Sequence, residues 1–204
     1  MAKKTKATLS VPTVKLSGVA NLLRLPPGVK DEKVSAGGKK VRVVSIVDLP
    51  EAGFIGDVKD TITLSKEKYD SIKKYLIQPF DVLMSIQGTV GRIGVVPEKF
   101  AGTWIANISL LAIRFEDIAM DNSVALLELL KSQFGRAIIQ KLEKGTTIKR
   151  INVKEFARTQ IPELTAEVKK QSKSVFDREV KTMEKINALM DSLETIRMEY
   201  LAGS

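Results

Sequence analysis

The sequence contains neither cysteine nor histidine in its 204 residues. Without cysteine, a disulfide framework and a thiolate metal site are both excluded. Without histidine, the chain lacks the commonest metal ligand and the commonest acid–base group at neutral pH. The usual serine and cysteine triads need a histidine base, so they are excluded as well. These absences favour a binding function over catalysis.

Aromatic residues and long apolar runs are also scarce. Aromatics make up 5% of the chain, with one tryptophan, so valine, isoleucine and leucine must build the core. No run approaches the roughly 20 apolar residues that a membrane span needs. The start, Met1-Ala-Lys-Lys-Thr-Lys6, is basic but lacks the apolar stretch of a secretory signal. We therefore expect a cytoplasmic protein without a membrane partner, in which residues 1–12 form a basic arm.

Positive charge is abundant and unevenly placed. The net charge is +9, from 33 Lys and Arg against 24 Asp and Glu. Residues 1–162 carry 26 basic and 16 acidic side chains, whereas residues 163–204 carry 7 and 8. Clustered cations favour a polyanionic partner because they release counterions from phosphates; a merely soluble basic protein is the alternative. The uneven placement predicts two regions with two roles, divided between residues 162 and 163.

Most of the body consists of short β-prone segments. Residues 41–47 are β-branched, and residues 104–115 are long and apolar, so each is predicted to be one strand. Residues 80–96 predict a hairpin. Residues 124–142 have helical spacing behind the capping cluster Asp121-Asn122-Ser123 and predict one helix. The predicted fold class is α+β: a globular domain with a mostly antiparallel, partly closed sheet and short helices, followed by a long C-terminal coiled-coil helix.

The segment from Thr165 to Tyr200 contains neither proline nor glycine. Its apolar residues step by three and four, which is the spacing of a coiled-coil seam. The seam consists of Phe176, Val180, Met183, Ile186, Leu189, Leu193, Ile196 and Tyr200. No second helix in the chain is long enough to match it. Pairing between two subunits is therefore favoured over packing along the chain's own body.

Motifs for nucleotide cofactors and metal chemistry are weak or absent. There is no Gly-x-x-x-x-Gly-Lys-Ser/Thr loop, and Gly88, Gly91 and Gly94 lie in a strand–turn–strand context that does not open a helix. A metal-dependent nuclease stays open as an alternative, with carboxylates at Asp48, Asp57, Asp60, Asp81, Glu98 and in Asp31-Glu32-Lys33. Such patterns arise by chance in a chain with 28% charged residues. We predict no catalytic residue, no metal site and no cofactor.

The hairpin turn carries the strongest signal for binding. Four of its side chains can hydrogen-bond base edges, namely Ser85, Gln87, Thr89 and Arg92. Arginine can bridge guanine O6 and N7, and glutamine can bridge adenine N6 and N7. A structural alternative exists for each: the serine and threonine would cap the turn, the glutamine would be solvated, and the arginine would pair with Asp81 or Glu98.

Two further basic elements are candidates for phosphate contacts. Lys39, Lys40 and Arg42 lie beside a glycine pair, and a solvated loop is the alternative for them. The second element follows Gly145 and can hold a phosphate through backbone N–H groups and two cations. Its predicted contacts are Thr146, Thr147, Lys149 and Arg150. Asn107, within an apolar segment, is either a satisfied buried amide or a functional contact.

The order of these motifs resembles a target recognition domain of the DNA specificity subunits of type I restriction-modification systems. The core of the resemblance is Ser85-x-x-Gly-Thr-x-Gly-Arg-x-Gly94, within the longer match that begins at Phe80. The flanking matches are the strand ending in Asp48-Leu49, Asn107 before an Ile/Leu strand, the helix 124–142 with Gly145-Thr146 behind it, and Ile161-Pro162-Glu-Leu before a long helix containing Gln171.

The resemblance implies a subunit without catalytic activity. In this family a recognition domain reads one half of a split DNA site, and a long helix acts as a ruler and docks methyltransferase subunits. Residues 1–162 would be the recognition domain and 163–204 the helix. The usual member has two of each in one chain, whereas this chain has one.

The single recognition domain and the unpaired seam together predict a homodimer on double-stranded DNA at a palindromic, gapped site. The implied partners are an adenine methyltransferase subunit and, as an optional component, a restriction subunit. A coiled-coil scaffold whose basic body binds acidic proteins or RNA is the remaining alternative.

Overall fold

The computed structural model of the protein describes residues 12–34 and 37–202. This part of the chain contains the strands β1 Thr13–Lys15, β2 Ala20–Leu23, β3 Lys39–Val44, β4 Thr61–Leu64, β5 Val82–Ser85, β6 Ile93–Val95, β7 Trp104–Ala106, β8 Leu110–Phe115, β9 Glu143–Lys144, β10 Arg150–Ile151 and β11 Gln160–Pro162. It also contains the helices α1 Lys66–Ile72, α2 Met120–Lys131, α3 Gln133–Leu142, α4 Val153–Ala157 and α5 Ala166–Ala202.

The strands form two main sheets and two short pairs. The larger sheet has the order β2-β8-β5-β6 and is antiparallel throughout. The smaller has the order β4-β3-β7, with β3 and β7 parallel. The pairs are β1-β11 and β9-β10. Among the described strands no closed barrel forms, and the predicted α+β class with mostly antiparallel pairing is confirmed.

The strand β5 lies between two cores, which explains its unbroken apolar sequence. All four of its residues are buried. Val82 and Met84 face the core that the larger sheet shares with α2, whereas Leu83 faces a second core with Trp104 of the smaller sheet. Because both faces are covered, the hairpin that follows β5 is held on a rigid support.

The prediction of one strand over residues 104–115 is wrong. The chain forms β7 and β8 and turns between them at Asn107, whose Oδ1 accepts hydrogen bonds from the Ser109 N–H at 3.0 Å and the Ser109 hydroxyl at 3.1 Å. An asparagine side chain competes in this way with the hydrogen bonds of a sheet. As a result β7 joins the smaller sheet and β8 the larger one.

The prediction of one helix over residues 124–142 is also wrong, because the chain breaks at Ser132. The backbone of Ser132 is extended (φ −64°, ψ 164°), and its hydroxyl caps α3 by accepting from the Gly135 N–H at 3.2 Å. The expected capping cluster 121–123 lies inside the first turn of α2, since the N-cap is Ala119.

The first half of α5 packs on the chain's own body. Phe176 is 2% exposed and meets Phe54 edge to face, with ring centroids 5.1 Å apart. Val180 packs against the same core, and Lys131 of α2 forms an ion pair with Glu179. This part of the predicted intersubunit seam is therefore an intramolecular contact, because the long face of α2 offers it an apolar surface.

The second half of α5 projects away from the body. Every residue from 184 to 201 is exposed, and at about 1.5 Å per residue this segment extends about 27 Å. Its apolar stripe includes Ile186, Leu189, Leu193 and Ile196, which are 46%, 66%, 48% and 57% exposed. Within the described residues nothing covers this stripe.

No helix in the described ranges has the length and apolar character required to cross a membrane. Of the basic arm predicted over residues 1–12, only Pro12 belongs to the described residues.

Candidate nucleic-acid interface

Strand register brings several loops to one edge of the molecule. Val44 of β3 lies beside Ala106 of the parallel strand β7, so the loops that follow these strands leave at the same edge. Ser85 at the end of β5 lies opposite Leu110 at the start of β8, which places the hairpin there too. We define the loop edge as Arg24 together with residues 45–51, 87–92, 107–109 and 146–150.

Main-chain hydrogen bonds connect these loops directly. The Asn107 N–H donates to the Val44 carbonyl at 2.8 Å, and the Ile86 N–H donates to the Ser109 carbonyl at 2.8 Å. The Gly88 N–H donates to the Lys149 carbonyl at 3.0 Å. The structure therefore brings together the hairpin and the second basic element, which are far apart in sequence.

Ser85 belongs to the interior of the hairpin. It is fully buried, its hydroxyl donates to the Thr89 carbonyl at 2.5 Å, and the Arg92 N–H donates to it at 2.9 Å. Gly88 and Gly91 have φ of 80° and 87°, which the turn requires and other residues rarely adopt. With no exposed surface, this serine fits the turn-capping alternative and not a base contact.

Arg92 fastens the hairpin to the loop after β3. Its Nη2 donates to the Leu49 carbonyl at 2.6 Å and lies 3.4 Å from a carboxylate oxygen of Glu51. The two pairings considered from sequence, with Asp81 or Glu98, are wrong. The side chain is 36% exposed, so part of the guanidinium faces solvent beside the turn.

The turn also presents side chains that are free to bind a ligand. Thr89 is exposed and Gln87 is half-buried, and neither side chain has a hydrogen-bond partner among the described residues. The backbone of Gln87 pairs with Arg150, so the glutamine and this cation lie side by side. An amide and a guanidinium in this arrangement can address a base edge and a neighbouring phosphate.

The loop 146–150 supplies the positive charge of the edge. Gly145 has a φ of 105°, and a Cβ there would overlap the Ile148 carbonyl, so the tight turn needs glycine. Thr146, Thr147 and Arg150 are exposed, and Arg150 has no ion pair within the described part of the chain. The Lys149 Nζ lies 2.8 Å from the Glu143 carboxylate, which partly neutralises it.

The first basic element lies away from the loop edge. Lys39 and Lys40 are exposed at the start of β3, and five residue steps of about 3.3 Å separate Lys39 from the loop that follows Val44. Arg42 is committed to an ion pair with Asp57 and to the Val58 carbonyl at 2.8 Å. Phosphate contacts from these three residues stay a prediction. The predicted strand over residues 41–47 ends at Val44 and continues as a 3₁₀ turn over Ile46–Asp48.

Most of the carboxylates that left a nuclease open have structural partners, including Asp57 with Arg42 and Asp81 with Arg114. Asp48 accepts from the Ser45 N–H at 2.7 Å, Asp31 from the Thr63 N–H at 2.6 Å, and Glu32 from the Ser65 N–H at 2.7 Å. The backbone bond from Ser65 also lowers the pKa of Glu32. Within residues 12–34 and 37–202 no three potential metal ligands converge.

Sequence reasoning missed two cations near the hairpin. Arg24 directly follows β2 and donates from Nε to the Ile108 carbonyl at 3.1 Å, so its terminal nitrogens lie at the loop edge. Arg136 of α3 lines a groove with Arg92 and Gln140 on the other flank of the turn. No sequence signal identifies Arg24, which precedes a Pro-Pro turn and belongs to no motif. Arg136 and Gln140 could have been identified from their i, i+4 spacing, which places them on one face of a helix.

Comparison with known proteins finds similar architectures among solved structures. No protein-family model matches the sequence, and no curated protein matches it. A structure from work on the assembly and conformational transition of the type I restriction-modification system has a TM-score of 0.58 at 15% identity. The HsdS subunit of Thermoanaerobacter tengcongensis gives 0.56 at 16%, and the type I S subunit of M. genitalium gives 0.52 at 17%.

The chain therefore has the fold of type I restriction-modification S subunits, as its motifs predicted. The matches cover 96%, 92% and 91% of this chain but only 44%, 42% and 44% of the three structures, so it spans less than half of their length. Part of the fold also occurs in the type IIG restriction endonuclease BpuSI, with a TM-score of 0.55 at 12% identity over 78% of this chain and 25% of that one.

Proposed function

We propose that this protein is a DNA specificity subunit without catalytic activity of its own, which reads one half of a split duplex site. The observation that carries the proposal is the loop edge, where polar and basic side chains from separate loops converge on the end of two sheets. Base readout needs donors and acceptors held in fixed positions. In this proposal residues 1–162 read DNA and residues 163–204 join subunits.

The residues divide between two kinds of contact. Side chains on the turn address base edges, because they have hydrogen-bonding groups that face solvent. Side chains of the neighbouring basic loop bind phosphates and set the register on the duplex. The base contacts are Gln87, Thr89 and Arg92; the phosphate contacts are Thr146, Thr147, Lys149 and Arg150.

A two-fold dimer through the free half of α5 supplies the reader of the second half-site. The exposed apolar stripe over residues 184–201 needs a partner helix. The dimer then reads a palindromic, gapped site.

The protein acts through enzyme subunits in this proposal. An adenine methyltransferase subunit would supply the chemistry, and a restriction subunit would complete the system, in the cytoplasm. The support is the fold, since one of the similar structures comes from work on assembly of the type I restriction-modification complex. A projecting helix that carries a reading domain gives such subunits a rigid element to hold.

Selection from randomised duplexes tests the proposed function. The purified protein is mixed with a random pool, and retained duplexes are sequenced at several salt concentrations. We expect one split motif with a fixed spacer, and an affinity that falls steeply with salt because phosphate contacts release counterions. Retention without any motif would favour the scaffold alternative. Reproducible Mg²⁺-dependent nicking of a plasmid, lost on mutation of one carboxylate, would favour the nuclease.

A further inference from the structure

Apolar side chains stand exposed on the loop edge, in the midst of polar and basic residues. Val47 is 82% exposed and Ile108 is 41% exposed. They occupy neighbouring loops, since the Asn107 N–H donates to the Val44 carbonyl where β3 and β7 end side by side. Single exposed apolar residues are common on protein surfaces. A pair on adjacent loops of a candidate reading surface calls for an explanation.

The turn that carries Val47 is tightly held. Ser45 and Asp48 cap it reciprocally, with the Ser45 N–H and hydroxyl donating to the Asp48 carboxylate at 2.7 Å and 2.8 Å. Ile46 packs against the core and Leu49 is buried in it. Val47 is thus the one apolar residue of this short turn that points to solvent, and the turn cannot rotate it inward without breaking the cap.

The turn that carries Ile108 is fixed in the same manner. Asn107 accepts from both the N–H and the hydroxyl of Ser109, and Arg24 holds the Ile108 carbonyl. The arginine beside it is a cation that can meet a phosphate. Hydrogen bonds within the two turns therefore hold both apolar side chains toward solvent. Arg24 lies beside Ile108 and has the charge to contact a phosphate.

The major groove offers one apolar group at a base edge, the 5-methyl group of thymine. We propose that Val47 and Ile108 contact a thymine 5-methyl group and thereby distinguish thymine from cytosine within the half-site. This inference rests on the proposed DNA-reading function and adds an apolar component to its hydrogen-bonding readout. Branched apolar side chains match a methyl group in polarity, whereas the N–H and carbonyl groups of the base edges need polar partners.

Deoxyuridine lacks only that methyl group, so it tests the contact. Each thymine of the selected motif is replaced in turn, and affinities of the wild type, Val47→Ala, Ile108→Ala and Ile118→Ala are compared. Ile118 is 52% exposed and follows the opposite end of β8, so it is a matched control. For the wild type we expect a loss of about fourfold at one position, the effect of one buried methylene-sized group.

Val47→Ala and Ile108→Ala should each bind the thymine duplex about fourfold more weakly than the wild type. In these two variants, replacing thymine by deoxyuridine at that position should no longer lower the affinity. Ile118→Ala should behave as the wild type. Since all three side chains are exposed, unchanged thermal unfolding will show that the fold is intact. Three results overturn the thymine contact alone: selective binding whose affinity no deoxyuridine substitution lowers, a loss of affinity on deoxyuridine substitution that persists in both loop-edge variants, and a selected motif that contains no thymine. Absence of any selective duplex binding overturns the proposed function along with it.

Discussion

At the scale of single residues, a buried ion pair fixes the strand that carries the hairpin. Asp81 is 1% exposed and accepts from Nε and Nη2 of Arg114 at 2.8 Å and 2.6 Å, and from the Gln78 N–H at 2.9 Å. Arg114 also donates to the Leu76 carbonyl at 2.7 Å, which ties β8 to the chain before β5. Burial raises the pKa of Asp81, and the arginine and backbone bonds oppose that rise.

Removal of this arginine should cost more stability than removal of the pair. Arg114→Met leaves a buried carboxylate without its partner, and we expect a loss of about 3–5 kcal/mol in the free energy of unfolding. The double variant Asp81→Asn/Arg114→Met, which keeps an acceptor for the Gln78 N–H, should recover much of it. Urea denaturation measures both, and a loss below about 1 kcal/mol in the single variant would contradict the assignment.

A second carboxyl group belongs to Glu128 of α2, which lies half-buried on the side of that helix that faces α5. Burial raises its pKa first, and the nearby Glu179 carboxylate raises it further, while Lys131 lowers it. Its Oε1 is buried without a hydrogen-bond partner within the described residues. At neutral pH the ionised Glu128 carboxylate therefore lowers the stability of the folded state.

Glu128→Gln should stabilise the protein at pH 7. Because the folded pKa lies above the ordinary 4.5, the wild type regains stability as pH falls through the folded pKa and has it fully below the unfolded pKa. Glu128→Gln should therefore be more stable to unfolding than the wild type at neutral pH, and this difference in stability should vanish near pH 4. Thermal unfolding across this range checks the prediction; an advantage that grows with acidity would contradict it.

Two cations of the loop edge should differ in their effect on DNA binding. Arg150 has no ion pair in the described structure. Arg150→Ala should therefore weaken binding to specific and random duplexes alike and lower the slope of log affinity against log salt concentration by about one.

Arg92 also positions the loop after β3, and Arg92→Ala should weaken binding by about 1–3 kcal/mol on the selected motif only. Equal losses on both kinds of duplex for Arg92→Ala would remove the hairpin from the readout.

At the scale of elements, the break between α2 and α3 shapes the surface beside the hairpin. Glycine in a helix ordinarily costs about 0.5–1 kcal/mol relative to alanine. Gly135, however, lies buried at the start of α3, where a Cβ would overlap the Leu129 carbonyl and the Leu130 Cα. This close approach of two helices is possible because residue 135 lacks a side chain.

Gly135→Ala should thus destabilise the protein, against the helix propensity of alanine. We expect a loss of about 1–3 kcal/mol from overpacking. Gly56→Ala is a suitable control, since no atom lies within 4 Å of its Cβ position. Chemical denaturation compares the two, and a stabilised Gly135→Ala would mean that the helices can separate without cost.

At the scale of the whole molecule, α5 divides into a docked half and a free half. The docked residues Phe176 and Val180 and the free residues Leu189 and Leu193 lie on different sides of the helix, because three successive steps of three residues rotate the stripe by about 180° between Val180 and Leu189. The body covers the side that carries Phe176 and Val180, whereas the stripe that carries Leu189 and Leu193 is exposed.

Leu193→Asp should abolish the proposed dimer, because it places an unpaired charge in the helix contact. Met198→Asp is the control: Met198 is 60% exposed but lies off the stripe. Sedimentation at micromolar concentration distinguishes dimer from monomer. A wild type that stays monomeric, or two variants that dissociate equally, would contradict pairing through this stripe.

Elements with strong local signals could be predicted from the amino-acid sequence. Periodicity without proline or glycine predicted α5, and the glycines with a polar turn between apolar runs predicted the hairpin. Asn107 and Ser132 broke two segments that looked continuous, because side-chain hydrogen bonds outweighed an apolar pattern at one position each.

Contacts between distant segments, by contrast, depend on the tertiary structure. The sequence singled out both the hairpin and the loop 146–150, but their contact depends on the register of β5, β8 and β10. Equally, burial of Ser85, the partners of Arg92 and the docking of Phe176 follow from which surfaces happen to be covered. Local propensity acts over a few residues, whereas hydrogen bonding and apolar burial join segments that the chain separates.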